Sequence, residues 1–139
     1  MFDKLKKKAL RTEDEVLLTE AMIAISMADG DDQWAESALI RAFMNTLPEL
    51  KDKDQHEIYE KAERNVKLHG ALSRVKELKN LGTDALKYKS FLLAMDVALS
   101  SGEIDEGEEA VLAAMQETLG IPDEVAQNFA EVLQVKYSS

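Results

Sequence analysis

Two sets of carboxylates are the residues of this chain best suited to bind something. Asp29, Asp31, Asp32 and Glu36 form the first set, and Asp96, Glu103, Asp105 and Glu108 the second. Carboxylate oxygens are the natural ligands of hard divalent cations: Ca2+ takes about six to eight oxygens, and Mg2+ or Mn2+ about six. Asp29, Asp31 and Asp32 repel one another, and a helix entrance needs only one of them as an acceptor, so their crowding invites a counter-ion. Each set, or both together, is therefore a candidate metal site for Ca2+, Mg2+ or Mn2+. An EF-hand is excluded. Counted from Asp29, the position of the bidentate glutamate is Ile40, and Gly30 falls too early for the loop's sharp turn. Zinc is disfavoured by the absence of cysteine and by only two histidines, His56 and His69, both outside the two sets. The same acids also have a purely structural use. Asp105 and Glu108 stand at the spacing of a capping box, and acids in a first helical turn gain about 0.3–1 kcal/mol each from the helix dipole. A metal-free reading, a helical protein-interaction module whose acids cap helices and keep the protein soluble, therefore stands beside the cation reading.

Few other function classes survive the sequence. It has no glycine-rich phosphate loop, no Ser–His–Asp set and no His-Glu-x-x-His stretch, so an enzyme is not expected. The 139 residues carry a formal net charge of −10, unevenly placed. Residues 1–11 sum to +4, 12–50 to −8, 51–89 to +3 and 90–139 to −9. Such a surface repels phosphate backbones, so nucleic acid is not an expected partner. No uncharged apolar run approaches the roughly 18 residues of a membrane span. The basic start, Lys4 to Lys8, is not followed by the apolar stretch of a secretory signal, so a cytoplasmic protein is expected. Residues 1–11 read as a flexible basic terminus and 12–139 as one domain.

The elements that position the acids are helices. Leu17, Leu18, Ala21, Met22, Ile25 and Ala28 recur at three- and four-residue intervals, as do Leu92, Met95 and Leu99, then Val111, Leu112, Met115 and Leu119. Strict alternation is absent. Thr12 with Glu15, Asp54 with Glu57 and Asp105 with Glu108 mark helix starts, as do Thr83 and Pro122-Asp123. Gly30, Gly70, Gly82, Gly102 and Gly120 mark stops, where glycine adopts the left-handed conformation cheaply. The spacing predicts about seven helices, near 13–28, 33–46, 54–69, 71–80, 84–100, 105–119 and 123–136, in a compact all-α bundle. Trp34 and the methionines Met22, Met27, Met44, Met95 and Met115 read as packing residues, and the two histidines as surface residues.

The two acidic stretches are copies of one pattern. At an offset of 72 residues Gly30 matches Gly102, Asp31 matches Glu103 and Glu36 matches Glu108. Each copy is an apolar helix, a glycine turn followed at once by an acid, and a second apolar helix opened by a glutamate. Two such hairpins with pseudo-twofold symmetry are expected to bring both turns to one end of the molecule. Ala28-Asp29-Gly30 followed by Glu36, and Ser101-Gly102-Glu103-Ile104-Asp105 followed by Glu108, resemble the paired hairpins of the tellurite-resistance TerB-like family. Leu119-Gly120-Ile121-Pro122 is similar to that family's last hairpin, and the resemblance spans about residues 12–136. It implies a compact seven-helix domain with an acidic, cation-binding face, acting as a non-enzymatic adaptor. It also implies a stress-response role in the cytoplasm, beside a membrane-associated protein partner. The family's acidic positions fall on Asp29, Asp31, Glu36, Glu103, Asp105 and Glu108. The chain departs from the pattern at Ser101, where an aspartate is usual, and at Gln33, the counterpart of Asp105.

Overall fold

A computed structural model of the chain describes residues 12–28 and 34–138. Its elements are α1 (Thr12–Ser26), α2 (Trp34–Thr46), α3 (Gln55–His69), α4 (Ala71–Val75), α5 (Asp84–Leu99), α6 (Glu106–Leu119) and α7 (Asp123–Tyr137), with α4 running directly into a 3-10 segment, Lys76–Asn80. No strand occurs among the described residues. The expected all-α bundle is what forms, and the boundaries agree with the apolar spacing to within one or two residues. Expectations for residues 1–11, the first acidic turn (29–33) and the Trp34 side chain lie outside the described residues.

The helix starts follow the caps. Asp54 accepts the Glu57 N–H at 3.1 Å and Thr83 accepts the Leu86 N–H at 3.1 Å. The reciprocal box is complete at Asp105 and Glu108, where each side chain accepts the other's backbone N–H, at 2.7 and 3.1 Å. Pro122 is the N-cap of α7 and Gly120, left-handed, ends α6.

Two sequence expectations change. Lys76–Asn80 tightens from α into 3-10, because three residues per turn aligns Val75, Leu78 and Leu81, all buried, on one inward line. Gly82 does not take a positive φ, unlike Gly70, Gly102 and Gly120. Its backbone N–H donates to Asp14 at 2.9 Å, so it serves as a donor to a buried carboxylate.

Helices α1 and α5 form the centre. Every residue from Asp14 to Ser26 is buried, and so is every residue from Ser90 to Leu99 except the half-buried Leu92. A helix apolar on nearly all sides must be surrounded, and α1 is, by α2, α3, α4, α5 and α6. The offset of 72 carries the limits of α1 onto α5 and those of α2 onto α6, so the internal repeat is structural. Each central helix also packs a third helix, α3 on α1 and α7 on α5, and α4 with its 3-10 extension bridges the halves. Met22, Met44, Met95 and Met115 are buried in the core, with Met27 against it.

Besides the packing of α1 on α5, the halves approach closely where α1 ends. A Cβ at Gly107, in the first turn of α6, would lie 3.0 Å from the Ala28 carbonyl oxygen just past the end of α1. Gly107→Leu is expected to destabilise the protein by about 1–3 kcal/mol, because the overpacked backbone contact outweighs the gain in helix propensity. A urea-unfolding midpoint unchanged from wild type would contradict that contact.

Candidate functional site

Ala28 is the last described residue before the first acidic turn, and Gly107 opens the helix that follows the second. Their contact puts the entry to one turn beside the exit of the other.

The second turn is described completely. The Ser100 N–H donates to the Asp96 carbonyl as α5 ends, and Gly102, at φ 96°, reverses the chain. The Ser101 hydroxyl, standing where the resembled pattern has an acid, donates to the Ala98 and Glu103 carbonyls at 3.2 and 3.1 Å. Glu103 and Asp105 are exposed, while Glu108 is buried by its role in the capping box. Glu36, its repeat counterpart in the first turn of α2, is buried too. Asp29, Asp31 and Asp32 lie outside the described residues.

Asp96 is engaged elsewhere. Its carboxylate accepts from Lys136 Nζ at 3.2 and 2.9 Å and from the Tyr137 hydroxyl, both in the last turn of α7. The hydrogen bond from Lys136 to Asp96 raises the lysine pKa. Burial, and then the bond to Asp96, raise that of Tyr137. With Phe129 against Phe91, ring centroids 6.4 Å apart, this cluster docks α7 on α5.

A divalent ion needs several carboxylates that converge and are not already committed. Asp96 is matched by a lysine and a tyrosine, and Asp105 and Glu108 are matched to backbone amides. Among the described residues no group of three or more His, Asp or Glu is placed to hold a metal ion. The described members of the two sets therefore do not by themselves fit a metal cage. His56 and His69 are exposed, as expected.

Apolar spacing did not reveal the buried acids of α1. Glu20 is 1% exposed and accepts from Arg74 at 2.5 and 3.1 Å and from Asn65 at 3.2 Å. The same hydrogen bond raises the Arg74 pKa. Asp14 takes the Gly82 amide, and Glu15 lies 3.5 Å from Lys53. The signal was present in the sequence: Glu20 falls inside the apolar run from Leu17 to Ile25. Glu20 and Arg74 floor a cleft of 220 Å3 beside α1. That is below the ~300 Å3 at which ligand pockets begin, so the pair reads as a packing device.

Comparison of the chain with family models, with curated proteins and with solved structures finds no match.

Two outcomes follow from the ion pairs. Arg74→Met leaves Glu20 buried without its cation and is expected to cost about 3–5 kcal/mol, while Glu20→Met with Arg74→Met costs less than the single change. Denaturant unfolding of the three variants tests this, and a double variant as unstable as the single one would refute it. Lys136 and Tyr137 hold their protons more tightly folded than unfolded. Their contribution is complete below about pH 10 and is lost as pH rises through the raised folded values. Stability is therefore expected to fall above about pH 10, less steeply in Tyr137→Phe, as read from melting temperature against pH.

Proposed function

We propose that this protein is a non-enzymatic helical adaptor whose acidic end binds a basic segment of a protein partner. The observation that carries the reading is the contact of Gly107 with the Ala28 carbonyl, which brings the end of α1 to the start of α6, where the exposed acids of the described turn lie. Around the described turn the exposed acids are Glu103, Asp105, Glu106 and Glu109. They sit at the N-terminus of α6 with no lysine or arginine among them, and together they attract extended cationic groups.

A lysine- or arginine-rich segment suits these carboxylates better than a bare divalent ion. Each can take one solvated cationic head without converging on a single point, and Asp105 can do so while keeping its capping bond. A divalent cation at the first turn, through Asp29, Asp31 and Asp32, is the companion reading that the TerB-like resemblance supports. The same resemblance supports a cytoplasmic stress-response role beside a membrane-associated partner. Any part in tellurite resistance is indirect on this reading: the chain has no thiol to reduce the oxyanion, and its charge of −10 repels it.

Calorimetry with an Arg/Lys-rich peptide, and separately with Ca2+, Mg2+ and Mn2+, tests the reading. Glu103→Gln with Glu106→Gln is expected to weaken the peptide by at least about fivefold, at about 1 kcal/mol for the pair of charges. Glu60→Gln with Glu131→Gln, an equal loss of charge elsewhere, leaves it nearly unchanged. Equal weakening by both pairs would reduce the acidic end to general charge. Ca2+ heat abolished by Asp31→Asn would favour the metal reading instead.

A further inference from the structure

Helices α3 and α7 are each the third helix packed on a central one, and each is 15 residues long. They are fastened very differently. Ile58, Tyr59, Ala62 and Val66 of α3 are buried, and α3 packs on α1, α2 and α4. In α7 only Leu133 is buried, the helix packs mainly on α5, and Val132 and Val135 face the solvent. Buried apolar side chains are what couple a helix to the core, so α7 is the weakly coupled member of the pair.

What fastens α7 lies largely at its two ends. Before its start, Ile121 is buried and its N–H donates to the Gln116 carbonyl at 3.0 Å, so the chain stays with α6 up to that residue. The Gln116 side chain also donates to Asp123 at 2.6 Å. Pro122, between them, is an N-cap with no side-chain hydrogen bond to close the first turn. The far end is the clasp of Lys136 and Tyr137 on Asp96, and Phe129 rests on Phe91 between the two ends. The central helix does not itself require that carboxylate. Its repeat counterpart is the buried Ala24, so an apolar residue suffices at the position. Nor is the clasp sealed from water: the Lys136 side chain is 48% exposed and that of Asp96 12%. Opening such a pair returns both charges to solvent, which offsets most of the attraction lost.

From the sparse burial, the solvent-reached clasp and the fixed pivot at Ile121–Pro122 we infer that α7 is a releasable strap. It swings off α5 as a unit while α1 to α6 stay folded. Phe91 and Asp96, covered in the closed molecule, are bared when it opens. The strap therefore gates an aromatic and a carboxylate group on the central helix of the second half.

Native-state hydrogen exchange of the full chain, followed by mass spectrometry at rising sub-denaturing urea, tests the proposal. Amides of α7 are expected to be protected, but at least about a hundredfold less than those of α1, and to respond less to urea. Tyr137→Phe removes one bond of the clasp and is expected to speed α7 exchange about three- to tenfold. Val75→Ala opens a cavity in α4, which packs on α1, α3 and α6 but not on α7. It is expected to speed α1 exchange about tenfold or more and to leave that of α7 unchanged. The urea series on the wild type reads the same separation without a variant. Protection of α7 equal to that of α1, with equal response to urea, would mean that α7 leaves only when the whole bundle unfolds, and would overturn the proposal. Wild-type α7 amides with no protection would overturn it too, since no closed strap then exists. So would α7 exchange that ignores Tyr137→Phe or follows Val75→Ala as α1 does.

Discussion

A helix enclosed on every side has no face on which to leave a charge in water, yet α1 carries Asp14, Glu15 and Glu20 among its buried residues. Burying a carboxylate costs several kcal/mol unless it is matched, so each demands a partner brought from elsewhere in the chain. Asp14 takes the Gly82 amide, Glu15 takes Lys53 and Glu20 takes Arg74 with Asn65. These partners all come from residues 53–82, the span that joins the two repeated hairpins. The bridge is thus held to the central helix by charge as well as by Val75, Leu78 and Leu81. Such pairs add little net stability over apolar packing. Their use is registry, since turning α1 by one residue would strand three carboxylates in the core.

What was legible in the sequence was what is local. Caps and apolar periodicity act within a turn or two, so Thr83, Asp105 and Gly120 mark their helix ends without help from tertiary structure. The offset of 72 was legible because both halves obey the same rule, an enclosed helix followed by an amphipathic one. The 3-10 tightening of Lys76–Asn80 was not, because its cause is the inward line of Val75, Leu78 and Leu81 against helices distant in sequence. Nor was the fate of Asp96. It shares a helix face with Ser100 and reads as part of the turn, yet its partner is Lys136, forty residues away. The clue was that Lys136 is the one base among ten acids in residues 90–139. A lone cation in such company is a strong candidate to have a fixed partner.

The distribution of charge follows from the same construction. Helix α6 has Glu106, Glu108 and Glu109 in its first turn and no base in its last. The first arrangement suits the positive end of the helix dipole, and the second leaves the negative end without a cation of its own. Lys76 and Lys79, from the bridge, lie beside that end. One helix therefore runs from the exposed acids of the described turn to the lysines of the segment that joins the halves. The net charge of −10 conceals this polarity, and the segmental sums show it.

The repeat also sorts the acids by what holds them. Glu36 and Glu108 are counterparts, both buried in the first turn of their helices, and at Glu108 the capping box accounts for the burial. Asp96 has no counterpart, since the matching residue in α1 is Ala24. It belongs to the docking of α7, which packs mainly on α5 and keeps only Leu133 fully buried. Phe129 on Phe91 holds α7 near its middle, and Lys136 with Tyr137 on Asp96 holds its last turn. Once capping, registry and docking have claimed their carboxylates, Glu103, Glu106 and Glu109 are the exposed acids of the described turn with no hydrogen-bonding task in the fold. On the reading proposed above, a basic partner segment meets those three first.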